Sequence, residues 1–237
     1  MPSDVTVVLA HGAWADGSSW SKVIGGLRAA GIRSVTAPLP LTTLADDVAA
    51  LEHTLARIDG PVVLAAHAYA GAVVGSARAA NVKALVYVTA LAPDSGETVA
   101  DVLARTPPHP AAPELTPDAA GLIWLPDEAF ASAFAQHASV EELAVLRAAQ
   151  RPISPACLTV PVGRPLWKDV PSWFLIAEDD RMIPIATQRF LAERMAATVV
   201  SYPVDHTPLV TAPARVIATI VRAVDTVRQQ ERATSPA

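Results

Sequence analysis

The residues of this chain that could do chemistry lie in short segments, each directly after an apolar run. Residues 66–71 read Ala-His-Ala-Tyr-Ala-Gly, Asp180 ends the acidic segment Glu-Asp-Asp, and His206 lies in Asp-His-Thr-Pro. A histidine held by a carboxylate can give and take protons near neutral pH. Asp180 and His206 are therefore candidates for general acid–base catalysis.

A further segment of this kind opens the chain. Residues 11–14 read His-Gly-Ala-Trp and follow the apolar run 5–10. Glycine permits a tight turn, so the next backbone N–H can point inward as a hydrogen-bond donor. Ligands of open α/β sheets bind at the carboxyl ends of the strands, so we expect all these segments to meet at one edge.

The elements that position these segments alternate between strand and helix. Short, nearly continuous apolar runs are typical of strands buried on both faces, whereas apolar residues three or four apart indicate amphipathic helices. The alternation predicts an α/β fold, a mostly parallel six-stranded sheet flanked by helices. The predicted strands are 5–10, 32–37, 61–66, 84–88, 172–177 and 198–202, and the main helices are 18–30, 43–58, 69–80, 185–195 and 213–227.

The alternation stops at about residue 93 and resumes at about residue 170. The segment between holds many prolines and short helical patterns at 127–135 and 140–149. We therefore expect residues 1–92 and 170–237 to form the core and residues 93–169 to form a helical cap insertion over the sheet's carboxyl edge. The polar tail after Arg228 is expected to fray.

Composition limits the partners. The chain of 237 residues is 51% hydrophobic and 17% charged, with a net charge of −5 and one cysteine, Cys157. These values favour a single packed domain, and no basic patch suggests nucleic acid. No stretch approaches the roughly 20 apolar residues of a membrane span. We expect a cytoplasmic protein, a monomer or homodimer, that takes a small-molecule substrate and needs no cofactor.

Together these motifs resemble the α/β-hydrolase superfamily over essentially the whole chain. Residues 11–20 match the opening loop of the small, capped, esterase-like branch, Asp180 with Pro184 matches its acid loop, and residues 205–208 match its histidine loop. The order of elbow, acid and histidine is that of the family's catalytic triad. The elbow departs from the family's Gly-x-Ser-x-Gly, because alanine stands at positions 66, 68 and 70.

The resemblance implies a role for each matching position. Residue 68, if it were serine, would be the nucleophile, His206 the general base and then acid, and Asp180 the group that orients the imidazole. The backbone N–H groups of Ala13 and Tyr69 would form the oxyanion hole. The candidate pocket walls are Trp14, Leu91, Trp124, Phe130, Phe134 and Trp167.

Some assignments have competitors. The acid could instead be Glu178, Asp179 or Asp205, although the spacing to Pro184 favours Asp180. His11 and His67 are expected to be structural parts of the oxyanion loop and the elbow. No histidines lie at metal-ligand spacing, so no metal site is expected.

Ala68 has three interpretations. The first is a serine hydrolase for an uncharged, moderately hydrophobic ester or lactone, inactivated by an engineered serine-to-alanine change, because alanine cannot form an acyl-enzyme. The second is a natural lyase, isomerase or cyclase in which His206 and Asp180 transfer protons. The third is a non-catalytic ligand-binding protein on the same scaffold.

Overall fold

Six apolar runs form one sheet in the computed structural model, which describes residues 4–234. All five strand pairings are parallel, and the strand order is β2-β1-β3-β4-β5-β6. The central strands are buried except at Lys83 of β4, which explains their nearly continuous apolar sequences. The strands are β1 (Thr6–Ala10), β2 (Arg33–Ala37), β3 (Val62–His67), β4 (Val82–Val88), β5 (Ser172–Ala177) and β6 (Thr198–Tyr202).

Helices connect the strands and cover the sheet, so the predicted α/β class and six-stranded parallel sheet are confirmed. The first and last helices of the sheet layer pack against each other, as do the second and third. The helices are α1 (Ser21–Ala29), α2 (Leu44–Leu55), α3 (Ala70–Ser76), α4 (Val99–Leu103), α5 (Asp127–Ala129), α6 (Val140–Ala149), α7 (Ile185–Arg194), α8 (Pro208–Thr211) and α9 (Pro213–Thr234).

Between β4 and β5 the chain runs through α4, α5 and α6 with little sheet structure. A π-helical segment, Phe130–Phe134, continues directly from α5. Isolated antiparallel bridges join Ile123 to Pro117 and to Ile153. These bridges hold the segment as a folded layer, whose limits at residues 93 and 169 stay a prediction.

Two helix ends differ most from the sequence prediction. α3 ends at Ser76 because Ala77 is extended, so the helix is shorter than the predicted 69–80. α9 runs to Thr234, so the tail after Arg228 does not fray at once. Arg228 donates to Asp4 Oδ1 at 2.8 Å, a contact that links α9 to the residues just before β1. No helix within residues 4–234 is both long and apolar enough to cross a membrane.

Candidate active site

The turn from β3 into α3 has the strained geometry of a site that presents one side chain. Ala68 has a φ of +49°, a region that non-glycine residues rarely adopt. Its carbonyl accepts hydrogen bonds from Gly71 N at 3.1 Å and Leu91 N at 3.0 Å. Gly71 is required here, since a Cβ on it would lie 2.2 Å from Leu91 O.

The two alanines that replace the family's glycines fit this turn. Ala66 and Ala70 are fully buried within the hydrophobic core. Their methyl groups therefore lie within the packed core on either side of the elbow, where position 68 has its left-handed backbone. The departure that matters chemically is Ala68 itself, which has no oxygen to activate.

The predicted acid and histidine lie in contact. His206 Nδ1 and Asp180 Oδ2 are 2.9 Å apart, and both side chains are almost fully buried. Asp180 also accepts from Met182 N at 2.7 Å, Ile183 N at 2.9 Å and Gln188 Nε2 at 2.9 Å. These donors fix the carboxylate, which in turn orients the imidazole with Nε2 available for proton transfer.

The competing acids are engaged elsewhere. Asp205 accepts from His137 N at 2.9 Å and Thr211 Oγ1 at 2.6 Å. Glu178 accepts from Ser201 Oγ at 2.7 Å. Asp179 is exposed. Of the four acids, only Asp180 is hydrogen-bonded to the His206 ring.

The two predicted oxyanion donors lie on facing turns. A Cβ on Gly12 would be 3.0 Å from both Ala68 Cβ and His67 Nδ1, so the loop 11–14 packs directly on the elbow. Within residues 4–234, the backbone N–H groups of Ala13 and Tyr69 have no hydrogen-bond partner. Both are therefore free to donate to a ligand oxygen in the adjoining cavity.

Tyr69 is fixed by a buried network that the sequence did not reveal. Its hydroxyl donates to Asp47 Oδ2 at 2.6 Å, while Leu41 N donates to Asp47 Oδ1 at 2.7 Å. Burial raises the pKa of Asp47 and also that of the Tyr69 phenol. The Cys157 thiol, 3.7 Å from Asp47 Oδ2, has its pKa raised to about 12, mainly by burial. The network holds Tyr69 neutral and in place, and Cys157 is not a ready nucleophile.

The two other buried histidines near the site are neutral. Burial, and next the charge of His206, lowers the pKa of His67 well below its usual value. The His67 Nε2 lies 2.7 Å from His206 O, so the neutral ring donates there and supports the histidine loop. Burial likewise lowers the pKa of His11, whose Nδ1 lies 3.0 Å from Gly12 O. Each ring thus contacts a backbone carbonyl of the site loops, and the purely structural role expected for both stays a prediction.

An apolar cavity of about 240 Å³ lies over these groups. Ala13, Ala68, Tyr69 and His206 form its reactive end. Of the predicted wall residues, Trp14 and Leu91 line it. Sequence reasoning missed the remaining walls, which come from the segment between β4 and β5 and from the acid loop: Leu103, Leu115, Ile123, Ile153, Leu158, Met182 and Ile183.

The other four predicted wall residues lie elsewhere. Trp124 is 44% exposed and donates to Asp118 Oδ2, and Trp167 packs beneath the Arg194 guanidinium. Phe130 and Phe134 are fully buried, with Phe134 packing on the His206 ring at a centroid distance of 5.3 Å. Phe134 therefore supports the histidine from behind instead of facing the cavity.

Among residues 4–234, no aspartate, glutamate, lysine or arginine lines this cavity. In the part of the chain that the structure describes, no three His, Cys, Asp or Glu side chains are grouped so that they could hold a metal ion. What the arrangement can do is bind a carbonyl oxygen at two N–H donors and move a proton at His206 Nε2.

These features are typical of the α/β hydrolases: a parallel sheet that carries a strained elbow, free backbone donors and a carboxylate–histidine pair at its carboxyl edge. The family model described as Alpha/beta hydrolase family matches residues 7–219, and the chain belongs to that family. A search of curated protein sequences gives no match.

Solved structures with the same fold include several esterases. Polyneuridine aldehyde esterase is 19% identical, with 93% of this chain and 99% of that chain covered and a TM-score of 0.77. A pyrethroid hydrolase from Sphingobium faniae JZ-2 is 22% identical, with 94% and 98% covered and a TM-score of 0.77. A histidine-to-alanine variant of tomato methylketone synthase I, complexed with beta-ketoheptanoate, is 15% identical, with 94% and 99% covered and a TM-score of 0.76. Identities this low show the shared fold.

Proposed function

We propose that the cavity is the substrate site of a carboxylic ester hydrolase in which Ala68 occupies the position of the serine nucleophile. The observation that carries the proposal is the elbow: Ala68 keeps a φ of +49° and lines the same cavity as His206. A strained backbone is retained at a position whose present side chain has no use for it. The strain is understandable if the position is built to present a serine hydroxyl.

The cavity favours an uncharged, moderately hydrophobic ester or lactone. Its walls are aliphatic and aromatic apart from His206, and no lysine or arginine is among them. Burying an anionic substrate there would cost free energy, because no cation compensates for the lost hydration. The carbonyl oxygen of a neutral ester would receive hydrogen bonds from Ala13 N and Tyr69 N.

With serine at position 68, His206 would take the hydroxyl proton and later return it to the leaving group. Asp180, fixed by its three other donors, would stabilise the imidazolium formed in between. The chain with alanine lacks the oxygen that forms the acyl-enzyme. It would bind substrate but would not hydrolyse it by this route, and the same proposal expects the source gene to encode serine at position 68.

Proton transfer without a nucleophile is a second candidate function. It is favoured by the intact His206–Asp180 hydrogen bond of 2.9 Å beside an elbow that has no hydroxyl. Here the donors of Ala13 and Tyr69 would hold an enolate oxygen while His206 Nε2 moves the proton. The structurally similar methylketone synthase variant was solved with beta-ketoheptanoate bound, a β-keto carboxylate. In the present chain the apolar cavity favours a neutral β-keto ester as the corresponding substrate.

Hydrolysis of p-nitrophenyl esters from acetate to octanoate tests the first function. We expect the Ala68→Ser variant to exceed the present chain by roughly 10⁴-fold or more in kcat. The matched control is the Ala68→Ser/His206→Ala double variant, which keeps the hydroxyl but removes its base and should lose the gain. If the Ala68→Ser variant hydrolyses none of the esters, the ester-hydrolase assignment is wrong.

Deuterium exchange tests the second function. Loss of the α-proton signals of β-keto esters in D₂O, followed by NMR, reports proton abstraction without any hydrolysis. Exchange catalysed by the present chain and lost in a His206→Ala variant would establish proton transfer as the native chemistry. If the chain binds these ligands but catalyses neither reaction, even with serine at position 68, it is a non-catalytic ligand-binding protein.

A further inference from the structure

A second cavity, which neither proposed reaction uses, lies beside the first. It has a volume of about 300 Å³ and lies between α6 and the segment that follows the oxyanion loop. Its apolar wall includes Val145, Leu146, Ala149 and Val210. An ion pair between Lys22 and Glu142 closes part of its rim. The lining also includes three serines and the charged residues Asp16, Lys22, Glu141 and Glu142, so it is the apolar wall of this cavity that suits a hydrocarbon chain.

Trp14 is the one residue that lines both cavities. The chain passes from the first cavity to the second at this residue, because Ala13 lines the former and Ala15 and Asp16 line the latter. The Trp14 side chain is only 9% exposed. It therefore fills the space that would otherwise connect the two compartments.

The Trp14 indole is held in place on several sides. Its Nε1 donates to Ile123 O at 3.0 Å, and its ring meets Phe134 edge-on at a centroid distance of 6.2 Å. Its backbone N–H donates to Arg151 O at 3.1 Å, and its φ is +56°. These contacts make the indole a fixed wall, since rotating it would break a hydrogen bond to a buried carbonyl.

We infer that Trp14 determines substrate length by ending the reaction cavity and shutting its substrate out of the second cavity. The inference rests on the proposed function, because it assumes that the first cavity holds the ester. Removing the indole would join about 240 Å³ to about 300 Å³ of apolar space. A straight alkyl chain that stops at Trp14 in the present protein would then extend towards α6.

The test is a chain-length series measured as binding, which the alanine at position 68 allows without turnover. Affinities of straight-chain ethyl esters from butanoate to dodecanoate are measured by calorimetry for the present chain and for Trp14→Ala. The present chain should gain affinity up to a limiting length and none beyond it. Trp14→Ala should continue to gain about fourfold per added methylene past that limit.

Two variants keep the test decisive. Trp14→Leu retains an apolar side chain of intermediate size, and it should lengthen the limit even if Trp14→Ala does not fold. The Trp14→Ala/Ala149→Phe double variant fills the second cavity from α6, and it should restore the original limit. Ala149 lines only the second cavity, so Ala149→Phe alone should leave the dependence of affinity on ester length as it is in the present chain.

The outcomes distinguish a failure of the Trp14 inference from a failure of the proposed function. If the present chain binds short esters but neither Trp14 variant shifts the limit, Trp14 does not determine length. If the limit shifts but Ala149→Phe fails to restore it, the added chain enters another space and the inference is equally wrong. If no ester binds to the present chain, the proposed function fails first and the inference fails with it.

Discussion

Acidification should destabilise this protein through His67, whose ring is buried and neutral in the folded state. Burial, and next the charge of His206, holds its pKa well below the ordinary 6.5. The unfolded chain binds a proton on this ring below that pH while the folded chain does not, so stability is lost as the pH falls. Between pH 7.5 and 5.5 the loss from one such histidine is on the order of 1 kcal/mol of unfolding free energy.

Urea denaturation at the two pH values measures this loss. The His67→Gln variant keeps an amide N–H that can donate to His206 O, but it cannot take up a proton. Its difference in unfolding free energy between pH 7.5 and 5.5 should therefore be smaller by roughly 1 kcal/mol than that of the present chain.

The control is His53→Gln, since His53 is an exposed residue of α2. This variant should show the same difference in unfolding free energy between pH 7.5 and 5.5 as the present chain. His11, whose pKa burial also lowers, adds to the loss in both variants and so cancels from the comparison. Equal pH differences for the present chain and His67→Gln would refute the argument that His67 is held neutral.

Gly71→Ala, with Gly25→Ala as its control, tests the elbow, and Asp180→Asn tests the acid. Gly71→Ala places a Cβ 2.2 Å from Leu91 O and should destabilise by about 1–3 kcal/mol or more in thermal or urea unfolding. Gly25→Ala in α1, where a Cβ meets nothing within 4 Å, should instead stabilise by about 0.5–1 kcal/mol. In the Ala68→Ser background, Asp180→Asn should lower kcat by roughly 10⁴-fold with little change in fold, as measured by ester hydrolysis and circular dichroism; a loss under tenfold would contradict the role given to Asp180.

The sheet could be predicted from the sequence because burial on both faces leaves a direct pattern. β5 and β6 fall at the predicted residues 172–177 and 198–202. α3 could not be delimited because its alanine-rich sequence runs on past Ser76, where the extended Ala77 ends the helix. α9 runs on past Arg228, which contacts Asp4, a residue far away in the sequence that local helix signals cannot anticipate.

The site was predictable where chemistry and strand ends coincide. Asp180 and His206 each follow a strand, and the parallel topology brings them into contact. The cavity walls were harder to predict, because they depend on how an irregular segment folds back over the sheet. Phe134 supports the His206 ring, and Trp124 points to Asp118 at the surface.

Asp47 gave a weak signal that could have been used. It is an acidic residue in the first turn of α2, where the macrodipole usually explains a carboxylate. Its neighbour Asp46 is exposed, and the Asp46 backbone N–H donates to the N-cap hydroxyl of Thr43. Asp47 instead turns inward and accepts from Tyr69 and Leu41. Sequence spacing places Asp47 on the buried face, but its partner Tyr69 is visible only in three dimensions.

Covalent labelling by a fluorophosphonate, read by intact-protein mass spectrometry, tests the central claim that position 68 is a nucleophile position served by His206. The account predicts one adduct per chain for the Ala68→Ser variant and none for the present chain. It also predicts that the Ala68→Ser/His206→Ala double variant labels far more slowly. An unlabelled Ala68→Ser variant, or equal labelling of the present chain, would contradict the account.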